Sequence, residues 1–291
     1  MSTARAQLVY TAANSGIVGI NPTTGAMVGV APSPGSIHLG SSFDPIGRRL
    51  FLSTGPSGPS TSLTTISVTT SATTQVSAPD IFGFLEYDPV TGLVYAAKSS
   101  GIVGINPATG AMVSVAPSPG SIHVGSSFDP IGRRLFLATG LSGPSTSLTT
   151  ISVTTGATTQ VPAPDIFGFL EYDSLTGLVY AATSSGIVGI SPITGAMVNV
   201  APSPGSIHLG SSFDPIGRRL FLATGPSGPS TSLTTISVTT GATTQVPAPD
   251  TFGFLEFAPV AIPVPATSLK MLIPLAILLA AVAVQRLSSS Y

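Results

Sequence analysis

The sequence contains no cysteine and very little charge. The absence of cysteine excludes disulfides and thiolate zinc sites. Asp, Glu, Lys and Arg make up 7% of the 291 residues, against roughly 25% in an average globular protein. Ser, Thr, Gly and Pro therefore cover the surface, which favours an extracellular setting. A net charge of −1 without a basic run excludes the electrostatic footprint of a nucleic-acid binder.

A long internal repeat takes the place of helical periodicity, which is absent before residue 268. The stretch that begins at Ser36 recurs at Ser121 and Ser206, a spacing of 85 residues both times. Each period contains a weaker self-match, because FDPIGRRLFLATG from Phe128 is similar to YDPVTGLVYAAKS from Tyr87. The structural unit is therefore about 42 residues long.

Each unit predicts four short strands separated by Pro, Gly and Asp turns. In the unit that starts near Asp80 they are FGFLEYD, LVYAA, GIVGIN and AMVSV. Four strands in about 40–45 residues is the blade size of a β-propeller. We therefore expect an all-β, six-bladed β-propeller over residues 7–259, with three-fold pseudosymmetry from the 85-residue double-blade repeat. An open array of four-stranded sheets or a β-solenoid is the alternative.

The two ends of the repeat region complement each other. The chain starts with a second strand, LVYTAA, and its repeats end with a lone first strand, FGFLEFAP. Pairing of these two strands would close the ring and leave no long exposed edge.

The units resemble those of the YVTN-type propeller family over about 250 residues. The resemblance rests on the Asp-Pro turn and apolar second strand of FDPIGRRLFLATG, and on the third strand and Thr-Gly turn of INPATGAMVSV. It implies the fold but little chemistry, because one fold hosts many functions. Some relatives look like lactonases, so a lactonase-like or other small-molecule enzyme is the alternative to a binding protein.

Polar side chains of the first strands are the candidate ligands of the central channel. The three histidines start first strands in alternate blades, and aspartates precede the first strands of the other blades; the residues are His38, His123, His208, Asp80, Asp165 and Asp250. Three imidazoles would suit a divalent metal ion at the channel mouth. The alternative is that the histidines were copied with their repeat and pack between blades, with no cofactor.

The remaining carboxylates have structural interpretations. The only glutamates are Glu86, Glu171 and Glu256, also on first strands. Ion pairs with the arginines of the GRRLF segments (Arg48, Arg133 and Arg218) are favoured over an orientation into the channel. Five aspartates precede Pro or Ser and predict Asx-turns; they are Asp44, Asp88, Asp129, Asp173 and Asp214.

The polar residues give no sign of catalysis, which needs an asymmetric set of acid, base and electrophile. Nearly every polar candidate here comes in three equivalent copies, and no G-x-S-x-G elbow is present. We therefore expect a non-enzymatic binding or structural module. The APSPGS, SAPD or PAPD, and GPSGPSTS loops share one predicted face, where they could bind a surface glycan or protein multivalently.

A separate apolar segment follows the repeats. We expect a leader at 1–6, a Pro-rich linker at 260–268, a transmembrane or sorting helix at 269–287 and a tail at 288–291. The apolar run Met271–Val284 can just span a bilayer if Lys270 and Arg286 snorkel.

This tail resembles the bacterial C-terminal sorting segments of the IPTL-CTERM and PEP-CTERM kind, through IPVPATSL, MLIPLAILLAAVAV and Arg286. It departs from them in its motif string and in its Ser-Ser-Ser-Tyr end. The resemblance implies export, processing by a sortase-like protease and display at the cell surface. The first residues lack a signal peptide, so either the true start lies upstream or the protein is tail-anchored and faces the cytoplasm.

Overall fold

The computed structural model describes residues 7–35, 37–55, 60–120, 122–140, 145–205, 207–225 and 230–259. The chain divides after Pro259 into the units Met1–Pro259 and Val260–Tyr291, and every described residue belongs to the first unit. The described residues form twenty-one strands, and none of them lies in a helix long and apolar enough to span a bilayer. The predicted leader, linker, apolar helix and tail lie outside them.

The strands form three seven-stranded antiparallel sheets. Sheet 1 has the order β18-β19-β20-β21-β1-β2-β3, with the bounds Ile207–Asp214, Arg219–Thr224, Ser230–Ser237, Thr243–Ala258, Leu8–Ala13, Gly16–Ile20 and Met27–Ala31. Sheet 2 has the order β4 to β10, with the bounds Ile37–Asp44, Arg49–Thr54, Ser60–Ser67, Thr73–Tyr87, Val94–Lys98, Gly101–Ile105 and Met112–Ala116. Sheet 3 has the order β11 to β17, with the bounds Ile122–Asp129, Arg134–Thr139, Ser145–Ser152, Thr158–Asp173, Leu178–Thr183, Gly186–Ile190 and Met197–Ala201.

One long strand lies at the centre of each sheet. In β7, the first half pairs with β6 and the second half with β8. Asp80 and Gly83 between these halves have positive φ angles of 64° and 84°, and the register with β8 shifts between Phe82 and Leu85. The chain therefore bends at these two residues, while strand pairing continues on both sides of the bend.

The predicted division into six separate four-stranded blades is wrong, while the predicted C-terminal helix lies outside the described residues. The described residues form three seven-stranded sheets and no helix. The segments that connect the fourth strand of one predicted unit to the first strand of the next are of two kinds, and they behave differently. Pro-Ser-Pro-Gly after β3, β10 and β17 interrupts pairing, although it contains no more proline than Pro-Ala-Pro-Asp, so the lack of a proline N–H does not by itself explain the break. Ser-Ala-Pro-Asp or Pro-Ala-Pro-Asp needs only one residue in a left-handed conformation, so the strand continues.

The expected pairing of the chain ends is present. β1 pairs antiparallel with β21, from Leu8 opposite Ala258 to Ala13 opposite Thr251. Six inner segments contact one another in cyclic order: β4, the second half of β7, β11, the second half of β14, β18 and the second half of β21. The result is an all-β, propeller-like arrangement around a central channel.

Apolar side chains fill the space within each sheet and between sheets. Phe136 stacks on Tyr172 inside sheet 3 with ring centroids 4.8 Å apart. Tyr180 of sheet 3 contacts Phe213 of sheet 1 at 5.5 Å, in a buried cluster with Leu220 and Leu222. Truncation of such a buried aromatic ring costs about 3–5 kcal/mol, so this packing fixes the inner strands that carry the site.

Candidate functional site

The inner strands enclose two cavities that meet at the three glutamates. The narrower cavity, of about 110 Å³, is lined by Gly40, Gly83, Gly125, Gly168 and Gly210 near the starts of inner strands. The wider cavity, of about 320 Å³, opens at the Asp-Pro turns, and we call it the funnel. Glu86, Glu171 and Glu256 line both cavities and therefore form the floor of the funnel.

Each glutamate accepts a hydrogen bond from a serine of a neighbouring sheet. The donors and acceptors are Ser126 and Glu86 at 2.6 Å, Ser211 and Glu171 at 2.7 Å, and Ser41 and Glu256 at 2.6 Å. The distances are typical of a hydroxyl bonded to a carboxyl group. These contacts tie the three sheets together at the floor of the funnel.

A second set of serines completes this ring of contacts. The serine that follows each donor accepts a hydrogen bond from a backbone N–H within its own sheet; the pairs are Ser42 with Tyr87, Ser127 with Tyr172, and Ser212 with Phe257, at 2.7–2.8 Å. Hydrogen bonds therefore link the six inner segments in cyclic order. Such a closed network holds the channel rigid.

The surroundings of the glutamates favour their protonated form. Removal from water raises the pKa of Glu86 to about 7, although the hydrogen bond from Ser126 acts in the opposite direction. The same desolvation, with the charge of Glu86 nearby, raises the pKa of Glu171 to about 8. The pKa of Glu256 lies well above its usual range for the same reasons. At neutral pH the floor is therefore largely carboxylic acid.

The favoured prediction that the glutamates pair with arginines is wrong. Arg133 and Arg218 instead contact Asp88 and Asp173 of a neighbouring inner strand, at 2.8 and 2.5 Å. Their φ angles are 56° and 55°, a left-handed conformation that costs roughly 1–2 kcal/mol for a non-glycine residue. These turn positions place the guanidinium groups at the rim, away from the channel floor.

Arg48 is the third member of this set and has a different partner. Its aligned acidic position on β21 is Ala258, so no carboxylate is available there. Arg48 donates to the Pro259 carbonyl at 3.0 Å and to the Tyr10 hydroxyl at 3.2 Å. Its Nε atom is buried without a hydrogen-bond partner. The charge of Arg48, where the chain ends pair, is therefore less well compensated than the charges of Arg133 and Arg218.

The predicted Asx-turns are confirmed. Each of the five aspartates accepts a backbone N–H from the residue two positions later; the acceptors are Asp44, Asp88, Asp129, Asp173 and Asp214, at 2.9–3.1 Å. Asp44, Asp129 and Asp214 also bind the second arginine of their own turn at 2.6–2.7 Å. These contacts fix the shape of the turns around the funnel.

The funnel has largely apolar walls, and aliphatic side chains stand beside the ion pairs of its rim. Aromatic rings and prolines line it together with Ser174; the residues are Phe43, Tyr87, Phe128, Tyr172, Phe213, Phe257, Pro45, Pro89, Pro130, Pro215 and Pro259. The residue after each turn proline or Ser174 projects into solvent: Ile46 (82% exposed), Val90 (70%), Ile131 (83%), Leu175 (76%) and Ile216 (68%). We call these five residues the apolar crown.

The predicted channel-mouth residues fall in different places. Asp80 is exposed, and Asp165 accepts hydrogen bonds from the N–H and hydroxyl of Ser184, which lower its pKa. Neither aspartate lines the two cavities. The side chains of His38, His123, His208 and Asp250 lie outside the described part of the structure. Among the described residues no group of three acidic or histidine side chains could hold a metal ion, and the histidine site stays a prediction.

Sequence reasoning missed the serines that bind the glutamates. The sequence offers only an indirect sign of these contacts: each Gly-Ser-Ser-Phe-Asp segment recurs with the same spacing as the Phe-Leu-Glu segments. Alternation along a strand places residues two apart on the same side, but only the pairing of neighbouring inner strands brings Ser126 to Glu86. The sequence contains no direct signal for that contact.

Comparisons with known proteins support the fold. No family model and no curated protein matches the sequence. A chain in a crystal structure of a nidogen/laminin complex is similar with a TM-score of 0.69 and 10% identity, over 88% of this chain and 99% of that chain. TolB from Acinetobacter baumannii is similar with a TM-score of 0.68 and 13% identity, over 88% of this chain and 67% of that chain. At these identities the likeness shows that the chain has a β-propeller fold, and it shows nothing further.

Proposed function

We propose that the protein is a non-enzymatic binding module that meets its partner through the apolar crown and funnel. The proposal rests on the apolar crown, in which five aliphatic side chains around one cavity are 68–83% exposed. Five of the nine large apolar residues that are exposed in the described part of the chain lie in these turns, and such a concentration of apolar surface marks an interaction site. The hydrogen-bonded turns hold it on a rigid frame, as binding loops require.

The channel chemistry supports binding over catalysis. Each described serine hydroxyl at the floor donates to a glutamate, and the three glutamate–serine pairs are equivalent copies. A nucleophile needs a neighbouring base that accepts its proton, with a third group to orient that base. The three pairs instead repeat one arrangement around the channel, which differs from the single asymmetric set of acid, base and electrophile that catalysis needs.

Photocrosslinking in the native host tests this use of the funnel face. A photoreactive p-benzoylphenylalanine replaces Ile131 of the crown, and a matched variant carries it at Ser100, an exposed turn between β8 and β9 at the other end of the strands. We expect adducts with a protein, a lipid or a second copy from position 131 and few from position 100. Equal yields at both positions, or none at position 131, would overturn the proposal.

We further propose that the module is exported, in line with the resemblance of its tail to sorting segments, and that the tail is held at the membrane and processed by a sortase-like protease. Cell fractionation combined with intact mass tests this part separately. A surface or secreted species that lacks the residues beyond about Pro265 supports sorting. A full-length species whose propeller is protected from external protease contradicts surface display and indicates a tail-anchored cytoplasmic protein.

A further inference from the structure

We infer that the partner of the apolar crown is a lipid bilayer, with the funnel face lying on the membrane and the five crown side chains in its interfacial region. This inference rests on the proposed function and names the partner class of the same face.

The shape of the crown suits a lipid surface. Its members come one to a turn, and each projects beyond a funnel-lining residue, as Ile131 does beyond Pro130 and Leu175 beyond Ser174. A protein partner would need a complementary pocket for each of these separate tips. A bilayer interface accepts each tip independently, since binding there scales with the apolar area that is buried.

The polar groups next to the crown match the headgroup region. Arg49, Arg134 and Arg219 lie three residues after the crown residue of their turn, with side chains that are 40%, 34% and 28% exposed. One side of each guanidinium is 5.5–5.6 Å from the centre of a phenylalanine ring. The exposed part can donate to lipid phosphates, while the paired aspartates limit the attraction of unrelated anions.

The path of the chain points to the same face. The described residues end at Pro259, which is part of the funnel wall. The sequence continues through residues 260–270 into the apolar run Met271–Val284. Eleven residues span at most about 36–40 Å when fully extended. A bilayer that receives this run is therefore tethered by a short segment that starts on the funnel face.

Depth-dependent fluorescence quenching tests the inference on the full chain. Because the sequence has no cysteine, a single bimane label can be placed at Ile131→Cys on the crown or at Val113→Cys. Val113 is a matched control, since it is 52% exposed on β10 and does not belong to the crown. The probe is a vesicle of phosphatidylcholine with a minority of phosphatidylglycerol, in which some lipids carry a nitroxide near the headgroup.

The expected result is a loss of about half or more of the bimane emission at position 131 and little change at position 113, because only an interfacial residue meets the nitroxide. Adding Val90→Ser and Leu175→Ser to the Ile131→Cys protein should reduce the quenching. These positions are exposed, so the fold should persist, and thermal unfolding of each variant checks this.

Three results would overturn the lipid assignment. Equal quenching at both positions would show that the crown has no special role, and absent quenching at both would show no lipid contact. Energy transfer between labels at position 131 without quenching would make a second copy the partner. In the last two cases, photocrosslinks from position 131 to protein would leave the proposed binding function standing while the lipid inference fails. Absence of any crosslink would remove both.

Discussion

Glu86 and Glu171 each lie two residues before a turn aspartate, Asp88 or Asp173, yet the channel glutamates and these aspartates differ in how their charge is compensated. Glu171 receives one serine hydroxyl, and desolvation raises its pKa to about 8. Burial would also raise the pKa of Asp173, but hydrogen bonds from Arg218, Thr176 and the Leu175 N–H outweigh it and lower that pKa. A carboxyl group with a guanidinium partner stays ionised, and one without it keeps its proton.

The two kinds of carboxyl group together leave the funnel face with little net charge, which bears on its function. The rim carries paired charges, and the floor carries protonated acids at neutral pH. A face of that kind loses little hydration energy when it is covered by an apolar partner. The neutral floor and the aliphatic crown therefore favour the same use of this face.

The largest effect is expected from removing an ion-paired aspartate. Asp173→Asn leaves the guanidinium of Arg218, whose side chain is 19% exposed, without its counter-charge. We expect a loss of about 3 kcal/mol or more in the free energy of unfolding, as for other broken buried pairs. Denaturant unfolding measures it. Asp80→Asn is the matched control, because Asn tolerates the positive φ of Asp80 at an exposed site. A similar small loss in both variants would contradict this role of the pair.

The next largest effect is expected when a glutamate of the funnel floor is replaced by a neutral residue, which should change how stability depends on pH. The folded-state pKa of Glu171 exceeds that of an unfolded glutamate, so the folded protein binds more protons and loses stability as the pH rises from about 4.5 to about 8. Glu171→Gln keeps an acceptor for Ser211 and removes this loss. We expect the variant to exceed the parent by roughly 3 kcal/mol at pH 8 and to approach it near pH 5, because each unit of pKa shift corresponds to about 1.4 kcal/mol.

Thermal unfolding across this pH range provides the measurement, since 1 kcal/mol corresponds to about 2–4 °C for a domain of this size. Parallel pH curves for the parent and Glu171→Gln would show that the glutamate is already ionised at neutral pH.

A smaller effect is expected at the serine donors. The hydrogen bond from Ser126 lowers the pKa of Glu86 against the larger effect of desolvation. Ser126→Ala should therefore raise the pKa of Glu86 further and cost about 1 kcal/mol of stability near neutral pH. Carbon NMR titration of the carboxyl group measures the first and denaturant unfolding the second. Ser100→Ala, at an exposed turn, should change neither quantity.

The smallest expected effect is a gain in stability at the place where the two chain ends pair. Ala258→Asp supplies Arg48 with the carboxylate that Asp88 and Asp173 supply to its equivalents. We expect a gain of about 0.5–1 kcal/mol, because burial of the new charge offsets much of the attraction. A double-mutant cycle with Arg48→Gln isolates the pair. A gain that persists without Arg48 would show that the ion pair is not its source.

Sequence periodicity predicted the strands and turns, because these depend on local residue types. It also predicted the pairing of β1 with β21, because the repeats begin with an unpaired second strand and end with an unpaired first strand. The Thr-Gly turns are an example, since Gly110 has a φ of 75° and its N–H bonds to the Asn106 carbonyl at 2.8 Å. The division into sheets was not predictable, because Pro-rich connections of similar composition break the strand in one case and continue it in the other.

The candidate site was predicted only in part. Periodicity placed the glutamates on inner strands and the aspartates in turns, but the choice of carboxylate for Arg133 and Arg218 depends on which sheet lies beside each turn. The aspartates that bind these two arginines, Asp88 and Asp173, each lie 45 residues earlier in the sequence than their partner. The funnel and crown likewise arise only when equivalent turns of all three sheets meet around one axis.

Carbon NMR titration of the glutamate carboxyl groups tests the central claim, that the funnel floor keeps most of its protons near neutral pH, most directly. The chain contains only three glutamates, so selective labelling of glutamate gives three carboxyl signals and no assignment problem beyond single Glu→Gln variants. The account predicts midpoints near 7 for Glu86, near 8 for Glu171 and well above the usual range for Glu256. Three midpoints near 4.5 would contradict it, because the funnel would then end in three negative charges.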